Sequence, residues 1–324
     1  MFFNRVFGKY QVIFTFCLIL SQAAMAATVN IDLNATNQTI RGFGGMHFPR
    51  WGHGLQNDAQ VDTAFGNGPG QIGFTVMRVD VSPNSSQWSG LLSAAQRAVN
   101  NHDAIVIASP WSPPASMKSN GSTTGGYLLP ASYGAYATHL TDFVNYMSSN
   151  GVPLYAISIQ NEPDISVDYE SCDWTSTQMR DFLTNYSSVI PTRVMVSESY
   201  NFDRGETDPI LNDPNAEAQV DIIAGHIYGG GLYDYPLARN KGKEVWMTEH
   251  LLLDTDWVDA LATGKEIHDC MNANFNLYCW WYIRRYYGPM DEDGTVTKRG
   301  YAMSHFSKFV RPGYIRIDAT ANPS

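Results

Sequence analysis

Two short apolar runs, each ending on a carboxylate, constrain this chain more than any other feature. The first is LYAISIQ, Leu154–Gln160, followed by Asn161, Glu162 and Pro163. Its aliphatic, aromatic and β-branched residues read as a parallel strand buried on both faces. Pro163 has no N–H and biases Glu162 away from helix, so the strand ends there. The second run, Glu244–His250 (EVWMTEH), ends on Glu249. The two acids are 87 positions apart. At roughly 25–30 residues per β/α unit that is three units, which puts Glu162 at the end of the fourth strand and Glu249 at the end of the seventh in an eightfold parallel barrel.

The carboxyl ends of such strands carry the chemistry of parallel β/α proteins. Strands four and seven face each other across the barrel mouth. Two acids over one cleft suit glycoside hydrolysis, where one donates a proton and the other attacks or activates water. Most Asp and Glu residues are merely solvated or ion-paired. Here the spacing and the flanking Asn161 and Thr248 favour the site.

The length fits one large barrel or two smaller domains. Hydrophobic residues make up 44% and charged residues 16%, which excludes a disordered chain. Aromatics reach 13%, a supply of flat faces for sugar rings. Residues Met1–Ala26 read as a secretory leader: Arg5 and Lys9, the apolar Val12–Leu20, then Ala24-Met25-Ala26 before the cut. The run is too short to span a bilayer. Without it the net charge moves from −10 to −12, with 19 basic against 31 acidic residues, a poor match for nucleic acid or an anionic membrane. The expectation is an exported protein, extracellular or periplasmic, acting as a monomer. Cys172, Cys270 and Cys279 remain after the leader and allow one disulfide and one thiol. No HExxH or zinc spacing is present, so neither metal nor organic cofactor is expected.

The remaining pattern alternates strand and helix. Strands are expected at Gly42–Met46, Phe74–Val81, Ala104–Ala108, Arg193–Glu198, Asp221–Tyr228 and Leu277–Ile283, and helices at Leu91–Val99, Tyr133–Asn150, Thr177–Asn185, Trp257–Ala273 and Tyr301–Phe309. Ser109–Pro114 (SPWSPP) is a proline-fixed loop, which favours Trp111 at the mouth over Trp111 in the core. His226 reads as a hydrogen-bonded supporting histidine and Arg78 as an orienting partner of Glu249. Asp291–Gly294 reads as a turn rather than a calcium loop. Arg284 and Tyr286 alternate with Arg285 and Tyr287, so one pair is expected to face away. Thr28–Leu33 and Gly313–Ala319 are strands without helices, outside the barrel and able to pair; an Asn-rich turn is expected after the first.

Six motifs in order, GFGGM, SPWSPP, IQNEPD, WMTEH, WWYIRR and KRGYAMSHFSKFVRPGYIRIDAT, resemble glycoside hydrolase family 30, and within it the bacterial glucuronoxylanases of subfamily 8. The resemblance runs from about Val29 to Pro323. It implies a (β/α)8 TIM barrel and retaining endo-hydrolysis of β-1,4-xylan. It makes Glu162 the acid/base, Glu249 the nucleophile and Asn161 the ligand of a sugar hydroxyl beside the scissile bond. Trp51, Trp111, Tyr169 and Tyr228 would form the glycone subsites. Arg285, with Trp281 and Tyr287, would hold the glucuronic acid branch of the polysaccharide substrate, glucuronoxylan.

Two departures matter. The family carries a β-sandwich side domain, expected here to be truncated or absent, with residues 27–324 forming the catalytic barrel and 28–33 and 313–319 left as remnants of the side sheet. The loop after Glu249 is short, with Leu251 where the resemblance expects a tyrosine and no match for an expected serine. If Asp254 or Asp256 of that loop lies near Arg285, it would offset the positive charge there. The alternatives are a xylanase indifferent to glucuronate, one that releases short products from a chain end, and a carbohydrate-binding barrel without catalysis. The last should lack Glu162 or Glu249.

Overall fold

The computed structural model describes residues 28–320, so the expected leader at 1–26 lies outside the described residues. The chain divides into a large unit, residues 36–316, and a small one made of 28–35 and 317–320 among the described residues. Strand β1 (Ile31–Thr39) pairs with a C-terminal strand, Ile315–Ala319, as a two-stranded sheet. The Asn-rich run Asn34–Thr39, expected as a turn, is therefore strand: a paired neighbour holds it extended.

The large unit is a closed parallel barrel of eight strands in chain order. They are β2 (Gly42–His47), β3 (Val76–Asp80), β4 (Ile105–Ser109), β5 (Leu154–Ser158), β6 (Arg193–Ser199), β7 (Ile222–His226), β8 (Glu244–Glu249) and β9 (Leu277–Trp280); the C-terminal strand of the small sheet is β10. Glu162 follows the fourth barrel strand and Glu249 ends the seventh, as the spacing requires. The GFGG run of β2 answers a steric demand. A Cβ on Gly44 would sit 1.8 Å from the Val76 carbonyl oxygen, and one on Gly45 would sit 2.9 Å from that of Trp280. Glycine lets β2 approach β3 on one side and β9 on the other.

Because the strands are parallel, both faces of the sheet are covered. Inside the barrel Val76, Ile107, Ala156, Met195, Ile222, Trp246 and Leu277 pack with Cys279. Outside, Met77, Val106, Ile157, Val194 and Val245 meet the helix layer through residues such as Leu140, Phe143, Phe182 and Ile267. Each such side chain contributes about 1.5–3 kcal/mol by leaving water. Ile107→Ala would cost about 2–5 kcal/mol, because the closed barrel cannot collapse onto the gap.

Expected helices form at Leu92–His102, Tyr133–Ser149, Ser176–Tyr186, Trp257–Asn272 and Lys298–Ser307. Short helices at Asp58–Phe65, Arg204–Leu211, Pro214–Glu217 and Pro236–Asn240 were not expected; they are too brief, or too interrupted by proline, to display a period. Strand β9 stops at Trp280 rather than Ile283, and β5 at Ser158 rather than Gln160. Cys172, Cys270 and Cys279 are all buried free thiols, so the disulfide that their number allows does not form. Asp291–Gly294 closes as a turn, with the Gly294 N–H donating to the Asp291 carbonyl at 3.0 Å.

Candidate active site

The chain leaving β5 is clamped before it reaches Glu162. Gln160 is fully buried, and its Nε2 donates to the carbonyls of Trp111 and Asn161. The Asn161 N–H donates to the Pro110 carbonyl at 2.9 Å. Glu162 takes a left-handed backbone (φ 44°), and its N–H donates to the Glu198 carbonyl at 3.0 Å. Such a backbone costs about 1–3 kcal/mol and persists because its surroundings over-determine it. The result is a carboxyl turned off the strand axis towards the mouth.

Glu249 is held from two sides. Arg78, on β3 and without exposure, donates from Nη1 to Glu249 Oε2 at 2.5 Å. Tyr228 donates its hydroxyl to Oε1 at 3.1 Å. The other Arg78 donors reach Asn161 Oδ1 at 2.6 Å, Glu198 Oε1 at 3.0 Å and Ser109 Oγ at 3.1 Å, so one guanidinium orders four strand ends. His226, fully buried at the end of β7, brings Nδ1 to 2.8 Å from Glu162 Oε1. An oxygen of Glu162, an oxygen of Glu249 and a ring nitrogen of His226 all lie within 4.8 Å of one another.

The two acids sit in different fields. Burial raises the Glu162 pKa above its ordinary value, and the nearby Glu249 adds to this against the opposing bond from His226. Glu249 instead receives a cation and a phenol, through Arg78 and Tyr228. Burial would keep His226 neutral, but Glu249, Glu162 and Glu198 override it and push its pKa up to about 9. One acid that burial disposes to hold a proton, beside one bound by a guanidinium, is an arrangement that two-carboxylate catalysis uses.

The cleft above them has a volume of about 340 Å³ and is lined by Trp51, Trp111, Tyr169, Tyr200, Tyr228, Leu251, Trp281 and Tyr282 around the two acids. Trp111 is only 2% exposed: it forms the wall from within the core, with Arg78 lying 4.9 Å over its ring. The proline-fixed loop thus buries this indole rather than displaying it. Trp51 stacks on Phe48 with centroids 4.3 Å apart and meets the edge of Tyr169 at 5.7 Å. Arg50 fixes both neighbours through a bidentate bond to Glu170 at 2.6–2.7 Å and one to Asp80 at 2.9 Å.

Three expected substrate residues do not line this cleft. Asn161 is 3% exposed, with its oxygen engaged by Arg78. Tyr287 is buried in the aromatic cluster of Met46, Phe48, Trp111 and Tyr282. Arg285 lies half-buried beside His53, donating to a ring nitrogen at 2.8 Å. The expected alternation of 284–287 fails, because β9 has already ended: Arg284 is buried on the Gly54 and Glu292 carbonyls while Tyr286 is exposed. Asp254 and Asp256 do not pair with Arg285. The Asp254 carbonyl binds Arg299, and Asp256 caps the helix that begins at Trp257.

Sequence reasoning passed over Tyr200, Tyr282 and Glu198. Glu198 did carry a signal, since VMVSE is a third apolar strand ending on a carboxylate. Glu162, His226 and Glu249 also offer three atoms at metal-ligating separation. Their chemistry does not fit a metal: Arg78 occupies Glu249 Oε2, and His226 retains the proton that a ligand must give up.

Comparison with known proteins agrees with this geometry. Residues 73–245 match the glycosyl hydrolase family 30 TIM-barrel domain. The chain is 46% identical over 319 residues to glucuronoxylanase XynC of Bacillus subtilis, covering 94% of this chain and 75% of that one. It superposes on the family 30 subfamily 8 xylanase Xyn30A of Clostridium acetobutylicum with a TM-score of 0.84 and 44% identity, over 91% of this chain and 78% of the other. A family 30 endoxylanase of Clostridium papyrosolvens gives 0.83 and 39%, over 92% and 79%. On this fold, this pair of acids and these relatives, the chain belongs to glycoside hydrolase family 30.

Proposed function

We propose that the protein hydrolyses internal β-1,4-xylosidic bonds of xylan with retention of configuration, directed by glucuronic acid branches. The observation that carries this reading is the close approach of Glu162 and Glu249, with oxygens within 4.8 Å across an aromatic cleft. Retaining pairs stand about 5–5.5 Å apart, whereas inverting pairs leave about 6.5–9.5 Å for a water. Glu249 attacks the anomeric carbon, forming a glycosyl ester, while Glu162 gives its proton to the departing sugar oxygen. Water then attacks the same carbon, Glu162 takes its proton, and Glu249 leaves as carboxylate. Arg78 and Tyr228 hold Glu249 aimed, and Arg78 also occupies the oxygen of the buried Asn161, which leaves its Nδ2 as the atom for a sugar hydroxyl. The rings of Trp51, Trp111, Tyr169 and Tyr228 wall the glycone.

The names of the similar proteins, glucuronoxylanase and endoxylanase, support the substrate class. Arg285 supports the branch specificity, since it pairs with no acid among the described residues and its donors can grip a uronate. Trp281 lines the cleft on that side. The competing reading, a xylanase indifferent to the branch, draws on Leu251, which puts an apolar side chain on the cleft wall where the resemblance expects a tyrosine. The enzyme acts as an exported monomer on an extracellular or periplasmic polymer; amino-terminal sequencing of the secreted protein and its sedimentation test this. The function itself is tested with Glu249→Gln and Glu162→Gln on glucuronoxylan. Both should lose turnover, and on an aryl xyloside, whose leaving group needs no proton, azide should restore Glu162→Gln with a retained glycosyl azide. Ordinary activity in either variant refutes the assignment.

A further inference from the structure

Glu198 is a buried carboxylate that the reaction just described does not use. It is the penultimate residue of β6, with no exposure and a left-handed backbone (φ 51°). Its Oε1 lies 3.0 Å from Arg78 Nη2 and 3.9 Å from His226 Nε2. Its Oε2 and His226 Nε2 are both buried without a hydrogen-bond partner among the described residues. An ionised carboxylate is not carried into a barrel at such expense for packing alone.

A charge count shows what it does there. The groups facing His226 and Glu198 are Arg78 from β3, Glu162 beyond β5, Tyr228 beyond β7, Glu249 from β8 and Cys279 from β9. Burial pushes the Cys279 thiol up to about 12 and the Tyr228 phenol well above its usual value, so both are neutral. With Glu162 protonated, Arg78 and His226 supply two positive charges and Glu249 and Glu198 two negative. The enclosed cluster is then neutral with His226 as imidazolium. Without Glu198 it carries an uncompensated positive charge, and the nearest group able to shed it is His226. Burial favours protonated Glu198, but Arg78 and His226 outweigh that and hold its pKa at about 2, so it is ionised at every working pH.

We propose that Glu198 is a positioning residue of the reaction: its carboxylate, sealed between Arg78 and His226, keeps His226 an imidazolium whose Nδ1–H donates to Glu162. The consequence falls on the second half of the reaction. Once Glu249 is esterified its negative charge is gone, and Glu162 must stay a carboxylate to take a proton from water. A cation 2.8 Å away stabilises that form. With neutral imidazole, Glu162 is more readily reprotonated from solvent, and its protonated form cannot take the proton of the attacking water.

This inference rests on Glu162 acting first as acid and then as base. The test is Glu198→Gln, which keeps shape and removes charge, studied in the whole chain. His226 is titrated by the nuclear magnetic resonance shifts of its ring nitrogens, with His226→Gln used for assignment. In the wild type His226 should stay charged through neutral pH. In Glu198→Gln it should lose its proton at least about one pH unit lower. Slower deglycosylation should lower kcat and KM together, about tenfold in kcat, with the covalent glycosyl-enzyme accumulating in the mass spectrum. A neutral His226 in the wild type at pH 7 overturns the proposal without any variant, which matters if Glu198→Gln does not fold. An unchanged His226 titration in a folded Glu198→Gln protein overturns it as well, as does a loss confined to kcat/KM with no adduct. If instead Glu162→Gln turned over normally, the acid/base assignment itself would have failed.

Discussion

Replacing Arg285 by alanine separates branch recognition from catalysis. The guanidinium is half-buried, its Nη1 on the His53 ring and its centre 5.9 Å from the Tyr286 and Tyr287 rings. No acid among the described residues pairs with it, so its removal orphans no buried charge and should leave the melting temperature nearly unchanged. A uronate about 4 Å away would gain ~1 kcal/mol in water and ~4 kcal/mol at the dielectric of a protein surface site. Half-burial places Arg285 between these, at about 2–3 kcal/mol. That corresponds to a loss of about 30- to 150-fold in kcat/KM. The assay compares wild type and Arg285→Ala on glucuronoxylan and on undecorated xylan, with reducing ends and product lengths measured. The loss should appear on the decorated polymer alone. Equal losses on both would make Arg285 a support for the His53 loop, and a wild type that never prefers the decorated chain would mean that the Leu251 loop has already removed the specificity.

Four further outcomes are expected. Arg78→Leu leaves Glu198 buried and uncompensated, so stability should fall by about 3–5 kcal/mol, read as an earlier urea midpoint. Tyr228→Phe removes the hydroxyl that donates to Glu249 at 3.1 Å, and kcat/KM should drop roughly 10- to 100-fold with the fold intact, as circular dichroism would verify. The alkaline limb of kcat/KM should lie above the ordinary carboxylate range: burial and Glu249 raise the Glu162 pKa, so the acid keeps its proton to higher pH and activity falls only as pH passes through the raised value. Dialysis against a chelator should leave activity unchanged; loss with recovery on adding a divalent metal would contradict a mechanism run by two carboxylates.

Local information determined a large part of this protein. Largely apolar runs of five to eight residues located all eight barrel strands, because a parallel strand is covered on both faces. Pro163 placed Glu162 at a strand end, and a separation of 87 positions placed Glu249 across the mouth. Tertiary structure decided what surrounds those acids. Arg78 was legible as a partner of Glu249, but its bond to Glu198, 120 positions away, and that of His226 to Glu162, 64 away, were not, since no local pattern encodes such pairings. The fate of Trp111 was decided in the same way: its loop is rigid by sequence, but only the packing of Phe48, Trp281 and Tyr282 around it turned the indole into a buried wall. Backbone period and proline act within one element and can be read there. Protonation and exposure depend on which distant side chains enclose a group, and closing the barrel is what brings them together.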